Sequence, residues 1–157
     1  MEKTITIRIE DARKWYLSNS RELRNLALSV FKEDELIMCG VPKSVEEFKA
    51  MTGYKEVKFA KDFPLSYKEQ EEYNAHIMLK CIRDMWRGDD YEFRRTLKSR
   101  AYQQCIAMSH DSEQGDKLYV TELFTSYNEF LSFPSWEMAE QFLACFEDLI
   151  KKAGNLI

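Results

Sequence analysis

The chain has 157 residues, 45% of them apolar and 32% charged, with 5 Gly, 3 Pro and a net charge of −4. That length suits a single domain spanning 1–157, able to hide roughly 70% of its unfolded surface, and the composition excludes a disordered chain. The mildly acidic balance excludes the global positive field of an unselective polyanion binder, and no apolar run approaches the about 18 residues of a membrane span.

The opening MEKTITIRIEDARKW has no uninterrupted apolar region behind a basic start, so it does not read as a signal peptide. Within it, TITIRI alternates polar and β-branched residues, as a short strand or an extended lead-in would. Ala12, Trp15, Tyr16, Leu23, Leu26, Ala27, Val30 and Phe31 then recur at three-four spacing and predict an inward helical face. SNSRE interrupts it. Asn19 with Glu22 has capping-box spacing, which predicts one helix ending near Leu17 and a second beginning at Ser20. Ser44 with Glu47 opens a short helix that turns Phe48 and Met51 inward and stops at Gly53. YKEVKFAKDFPL reads as an extended or irregular connection. Ser66 with Glu69 opens the longest helix, 67–87, with the seam Ala75, Met78, Leu79, Ile82, Met85 and Trp86. Its outer face carries Lys68, Glu69, Glu72, Lys80 and Arg87, and Gly88 ends it.

The period then falls to two. Residues 102–108, 118–124 and 129–133 read as strands, with SHDSEQGDK and TSYN as the turns between them. Strands so close in sequence predict an antiparallel meander. Phe130 and Phe133 have opposite strand parity and should face opposite sides. A last helix runs from Ser135, its N-cap, to about Lys152, with the seam Ala139, Phe142, Leu143, Phe146, Leu149, Ile150 and Ala153. The expected fold class is α+β: helices first, then a three-stranded antiparallel meander, then a C-terminal helix packed on the sheet.

No pattern with a chemical mechanism emerges. Cys39, Cys81, Cys105 and Cys145 are far apart and read as reduced, buried thiols of a cytoplasmic protein. His76 and His110 are too few for a zinc site, and His76 reads as a partly exposed or hydrogen-bonded helix residue. Counted as a calcium loop from Asp111 to Glu122, the sequence puts Gly115 in the fifth place where such loops need the sixth, so a solvated turn is the better reading. There is no G-x-S-x-G, P-loop or G-x-G-x-x-G. No catalytic, cofactor-binding or metal-binding residue is assigned, and the expectation is a protein that is not an enzyme.

Residues 80–100 hold seven Lys or Arg against four Asp or Glu. Arg94, Arg95, Lys98 and Arg100 cluster there among Tyr91, Phe93 and Tyr102, which makes them candidate nucleic-acid contacts. The alternative is a solvated face whose aromatics point inward. Trp136, in the first turn of the last helix but beside its seam, is a candidate protein contact.

Asp11, Ala12, Tyr16, the break at 18–20, Leu23, Leu26, Ala27, Leu28, Phe31, Glu35 and Leu36 carry a resemblance. So do SVEEFKAMTGY and the closing set Phe133, Ser135, Ala139, Phe142, Phe146, Asp148, Leu149 and Ile150. Both ends of the chain resemble a group of uncharacterised small proteins of Bacteroides-type bacteria, their prophages and their phages. The middle departs: relatives often carry Gly-Trp-x-Pro-Asp-Trp where this chain has WRGDDYEF. The resemblance implies a phage-related or mobile-element accessory protein and carries no catalytic residue across. The expected function is non-enzymatic binding of a protein partner or of a second copy, with nucleic-acid binding through the basic segment as the alternative and no membrane.

Overall fold

In the computed structural model, residues 2–18, 20–88, 103–111, 115–123 and 130–154 are described. An extended lead-in, not a strand, brings the chain to α1 (Ile9–Leu17), which buries Ala12, Arg13 and Tyr16. The break falls where the serines predict it. Ser18 Oγ donates to the Trp15 carbonyl at 2.7 Å, and Ser20 Oγ accepts from the Leu23 N–H at 3.3 Å to cap α2 (Arg21–Val30). Ser20 is the N-cap; Asn19, named for that role above, lies outside the described residues. A helix with no counterpart in the periodicity, α3 (Glu33–Met38), follows, and Glu35 accepts from the Lys32 N–H at 3.0 Å. Helix α4 (Val45–Thr52) is capped by Ser44 and stopped by Gly53, whose φ of +67° costs glycine little. Phe48 is buried as expected, but Met51 faces water.

Helix α5 (Tyr67–Arg87) has both halves of its capping box: Ser66 Oγ accepts from the Glu69 N–H at 3.2 Å, and Glu69 accepts from the Ser66 N–H at 2.7 Å. That hydrogen bonding holds the exposed Glu69 carboxyl below its ordinary pKa. The last helix, α6 (Trp136–Ala153), starts at the Ser135 cap and bends at Phe146, where φ is −128°. The core lies where α5 and α6 meet. Trp86 packs edge-on against Phe142 and Phe146 at 5.3 and 6.0 Å, and Phe133 meets Phe142 at 4.7 Å. The Trp86 indole N–H donates to the Pro42 carbonyl at 2.9 Å, so the largest core ring keeps its polar atom satisfied.

The expected α+β meander is overturned. The described chain is mostly helical, with six α-helices, and its strands are not joined in sequence order. β1 (Gln103–Asp111) pairs antiparallel with β2 (Gly115–Leu123) from Gln103↔Leu123 to Asp111↔Gly115. The two residues of β3 (Ser132–Phe133) return to β1, not to β2, giving the order β2-β1-β3. The pairing runs closer to the turn than expected, leaving only 112–114, which are not described, between β1 and β2. Glu129, Phe124 and Tyr102, each placed in a strand above, lie outside the described residues.

The physical reason for the third strand's position is on its outer edge. Carbonyls of an extended chain point alternately to opposite sides. Leu131 O turns towards β1 and accepts from the Ile106 N–H at 3.0 Å. The alternate carbonyls point the other way, into arginines. Phe130 O accepts from Arg83 Nη1 at 2.8 Å and from Arg87 Nη2 at 2.7 Å. Ser132 O accepts from Arg87 Nε at 2.6 Å, and Pro134 O accepts from Arg24 Nη2 at 3.2 Å. Guanidinium groups stand where a fourth strand would, on the edge of β3 away from β1. Arg87, expected on the outer face of α5, is therefore buried, as is Arg83.

Candidate functional site

Helix α2 is amphipathic, yet Ala27 is its one buried residue. It leans on the body through Ala27, the half-buried Phe31 and Arg24, which donates to the Tyr16 carbonyl at 3.3 Å and lies 5.5 Å from the Tyr16 ring. The docking direction is set by that arginine, so the apolar stripe beside it is turned outward. Leu23, Leu26 and Val30, at i, i+3 and i+7, remain 38%, 45% and 47% exposed. These were expected to face the core and do not. Single exposed leucines are ordinary; three in one helical row form a continuous apolar surface, which is not.

Beneath α2 the polar contacts are complete. Tyr16 donates its proton to Glu33 Oε1 at 2.7 Å and sits 2.8 Å from Ser135 Oγ. A phenol has one proton, so Ser135 donates to Tyr16 while accepting from the Met138 N–H at 3.1 Å. Burial holds the Tyr16 phenol well above its ordinary pKa. These hydrogen bonds tie α1 to α3 and to the start of α6 around a fully buried Tyr16.

The next residue, Trp136, is 37% exposed, the solvent-facing first residue of α6. It stands one position from Ser135, whose hydrogen bond to Tyr16 joins α1 to α6. The basic segment fares differently. Arg94, Arg95, Lys98 and Arg100 lie outside the described residues. Of the three other cations in 80–100, Arg83 and Arg87 are turned inward onto carbonyls, and Lys80 pairs with Asp84 at 3.2 Å. Burial opposes the Asp84 carboxylate, but Arg83 and then Lys80 outweigh it and hold its pKa below the usual range. The count that suggested a polyanion surface included two arginines that hold the fold together.

Around Phe130 the arginines meet the expected helix histidine. The His76 ring stacks on Phe130 at 4.4 Å, and the Arg83 guanidinium lies 4.6 Å from the same ring. His76 Nδ1 is buried without a hydrogen-bond partner among the described residues, and burial, then the charge of Arg83, lowers the imidazole pKa. Phe133 is buried in the core, whereas Phe130 precedes the two-residue strand and packs half-buried at the core's margin against His76, so the strand parity expected of the pair does not apply.

A groove of about 600 Å³ runs between α4, residues 56–59, α5 and the end of α6, with Val45, Val57, Phe59, Ala75, Met78 and Leu149 among its lining residues. Its wall at 56–59 is tied to α5 through Asn74: Asn74 Oδ1 accepts from the Val57 N–H at 2.9 Å, and Asn74 Nδ2 donates to the Val57 carbonyl at 3.1 Å.

Among the described residues there is no group of three His, Cys, Asp or Glu placed to hold a metal, and no helix long and apolar enough to cross a membrane. Cys39, Cys81 and Cys145 are free and half-buried, less enclosed than expected, and burial pushes the Cys145 thiol up. Compared with models of protein families, with curated proteins and with solved structures, the chain matches none.

Proposed function

We propose that the protein acts without catalysis, by binding another protein through the outward stripe of α2, as an accessory protein of a phage or mobile element. One observation carries the reading: Leu23, Leu26 and Val30 form a row that the fold leaves in water although α2 is built to bury an apolar face. Covering what remains exposed stabilises a complex by about 1 kcal/mol per side chain. Trp136 is the exposed aromatic that this reading adds to the contact, because tryptophan is enriched among the residues that carry binding energy. The cytoplasm is the compartment it takes, supported by the free thiols of Cys39, Cys81 and Cys145.

The test is a matched pair of measurements on the wild type and Leu26→Asp: self-association by sedimentation, and recovery of partner from host lysate. The substitution is on the surface, so folding stability stays within about 0.5 kcal/mol. Association by the wild type that weakens more than about tenfold in the variant supports the reading. A wild type that stays monomeric, and whose recovered proteins are unchanged by Leu26→Asp, rejects it.

A further inference from the structure

Of the two outer edges of the sheet, arginines hold that of β3, whereas no strand of the described residues pairs with the far side of β2. The groups on that open edge follow from the register. Ile106 gives its N–H to Leu131 beside β3, so the alternate residues of β1, Cys105, Ala107 and Ser109, turn their backbone to β2. Their partners Thr121, Tyr119 and Lys117 turn back to β1. The N–H and C=O of Leu118 and Val120 therefore point outward, with those of Asp116 and Glu122. Such a row is a template for another extended chain. Leu118 is buried and Val120 packs half-buried on the core, while Lys117 and Tyr119 are exposed. A strand that completes this edge must then be apolar at alternate positions.

The same chain holds such a strand without a partner. Residues 2–7 run up to α1 without helix, turn or bend and make no backbone hydrogen bond to a described residue. Thr4, Ile5, Thr6 and Ile7 are all β-branched, the side chains that suit a sheet. Ile5 is 84% exposed, and the lead-in stands over a hollow of about 280 Å³ that it shares with Asp11, Lys14 and Trp15 of α1.

One antiparallel register joins the two. It pairs Ile5 with Val120, Ile7 with Leu118 and Lys3 with Glu122, all through the backbone groups that β2 leaves open. A shift of two residues sets either Ile7 against Asp116 or Ile5 against Glu122, and a shift of one turns the isoleucines to the face of Lys117 and Tyr119. Arg8 falls opposite Lys117, but Arg8 is the N-cap of α1, where the strand ends, and Glu10 meets it at 3.6 Å. The other candidates within the chain fit less well. Two copies of β2 that oppose Leu118 to Val120 also oppose Asp116 to Glu122, and registers centred on Leu118 or Val120 set an acid against an apolar residue. Residues 55–59 have the backbone of Val57 already held by Asn74, so they can add only through Glu56 and Lys58, which would set charged residues on the face of Leu118 and Val120. We propose that two copies of the protein exchange lead-ins: residues 3–7 of each add antiparallel to β2 of the other. A single chain leaves both the segment and the edge open, whereas the exchange closes both in each copy. The contact uses no residue of α2 and does not depend on its apolar stripe.

The experiment uses the full chain and disulfide trapping between copies. The register sets Thr4 directly opposite Thr121, in a pair whose side chains come close enough to be bridged. Thr4→Cys and Thr121→Cys proteins are mixed and oxidised, and covalent dimer is read on a non-reducing gel. The mixture gives at least about tenfold more dimer than either variant alone, whose yields report the background from the native thiols. Thr4→Cys mixed with Lys117→Cys, the pair that a parallel lead-in would bring together, stays at background. Adding Ile5→Lys to the Thr4→Cys protein, at an exposed site that leaves circular dichroism unchanged, lowers the trapped dimer at least about fivefold. Adding Leu26→Asp leaves it unchanged, which separates this contact from the α2 stripe. A Thr4–Thr121 mixture at background, or an equal yield with Lys117→Cys, overturns the proposal. An internal disulfide in the double variant Thr4→Cys, Thr121→Cys at high dilution would assign the edge to the chain's own lead-in and overturn it equally.

Discussion

Ser132–Phe133 and residues 55–58 each have a side chain standing where a neighbouring strand would. At β3 the substitution is complete: β1 holds one edge, and Arg24, Arg83 and Arg87 hold the alternate carbonyls of the other. At 55–58 it is half made, with Asn74 on one edge and water on the other. The chemistry of the two substitutes explains the difference. A guanidinium has five donors and no acceptor, so it can close a row of carbonyls but cannot itself be extended. An amide has one donor side and one acceptor side, and it pairs a single residue as a strand would. Arginine therefore seals an edge, whereas asparagine positions one and leaves its far side available.

Removing the seal is the largest break of this comparison. Arg87→Leu leaves the Ser132 carbonyl without that guanidinium in the interior and weakens the hold on Phe130. It is expected to cost about 3 kcal/mol in urea unfolding, because a buried acceptor without its donor loses its hydration uncompensated. A smaller effect comes from the half-made edge. Asn74→Ala removes two hydrogen bonds at an exposed site, at a cost of about 1 kcal/mol. Faster amide exchange at Val57, with exchange at the core of α5 unchanged, would show that the loss is local. If Asn74→Ala proved as costly as Arg87→Leu, the distinction between sealing and positioning would fall.

The smallest effect is a pH dependence on the sealed side. The His76 pKa lies below its ordinary value of 6.5, so the unfolded chain takes up that proton first as the pH falls. Its contribution to stability is full above pH 6.5 and is lost as the pH drops through the folded value. His76→Phe keeps a ring against Phe130 and removes the titration. Urea midpoints at pH 7.5 and pH 5 should therefore differ less in the variant than in the wild type. An equal difference would locate the acid sensitivity elsewhere, with Asp84 the next group to examine.

Caps and seams were legible in the chain because they are local. Ser20, Ser44, Ser66 and Ser135 each cap a helix within one residue of the expected start, and the seam of α5 is buried in all but Met85, which is half-buried. Polar residues misled wherever their partner was distant. Arg87 read as solvent-facing because periodicity treats an arginine as an outer residue, and the carbonyls it holds lie more than forty positions away. The α2 stripe failed for the converse reason. An apolar row at helical spacing is the same pattern whether its cover is the core or another molecule, and only the direction imposed by Arg24 decides. Strand order was illegible because parity sets faces and not edges: nothing in 129–133 says on which side of β1 it will land.

The link between Tyr16 and Ser135 spans 119 positions, and that between Arg13 and the Trp86 carbonyl spans 73. Arg13 also donates to the carbonyls of Leu36 and Ile37, so the ends of α3 and α5 are both finished by α1. A ribosome making this chain must release Trp86 before the Arg13 contacts can be completed, and Ser135 before the Tyr16 contact can. The contacts that finish α1 are thus among the last that synthesis makes available.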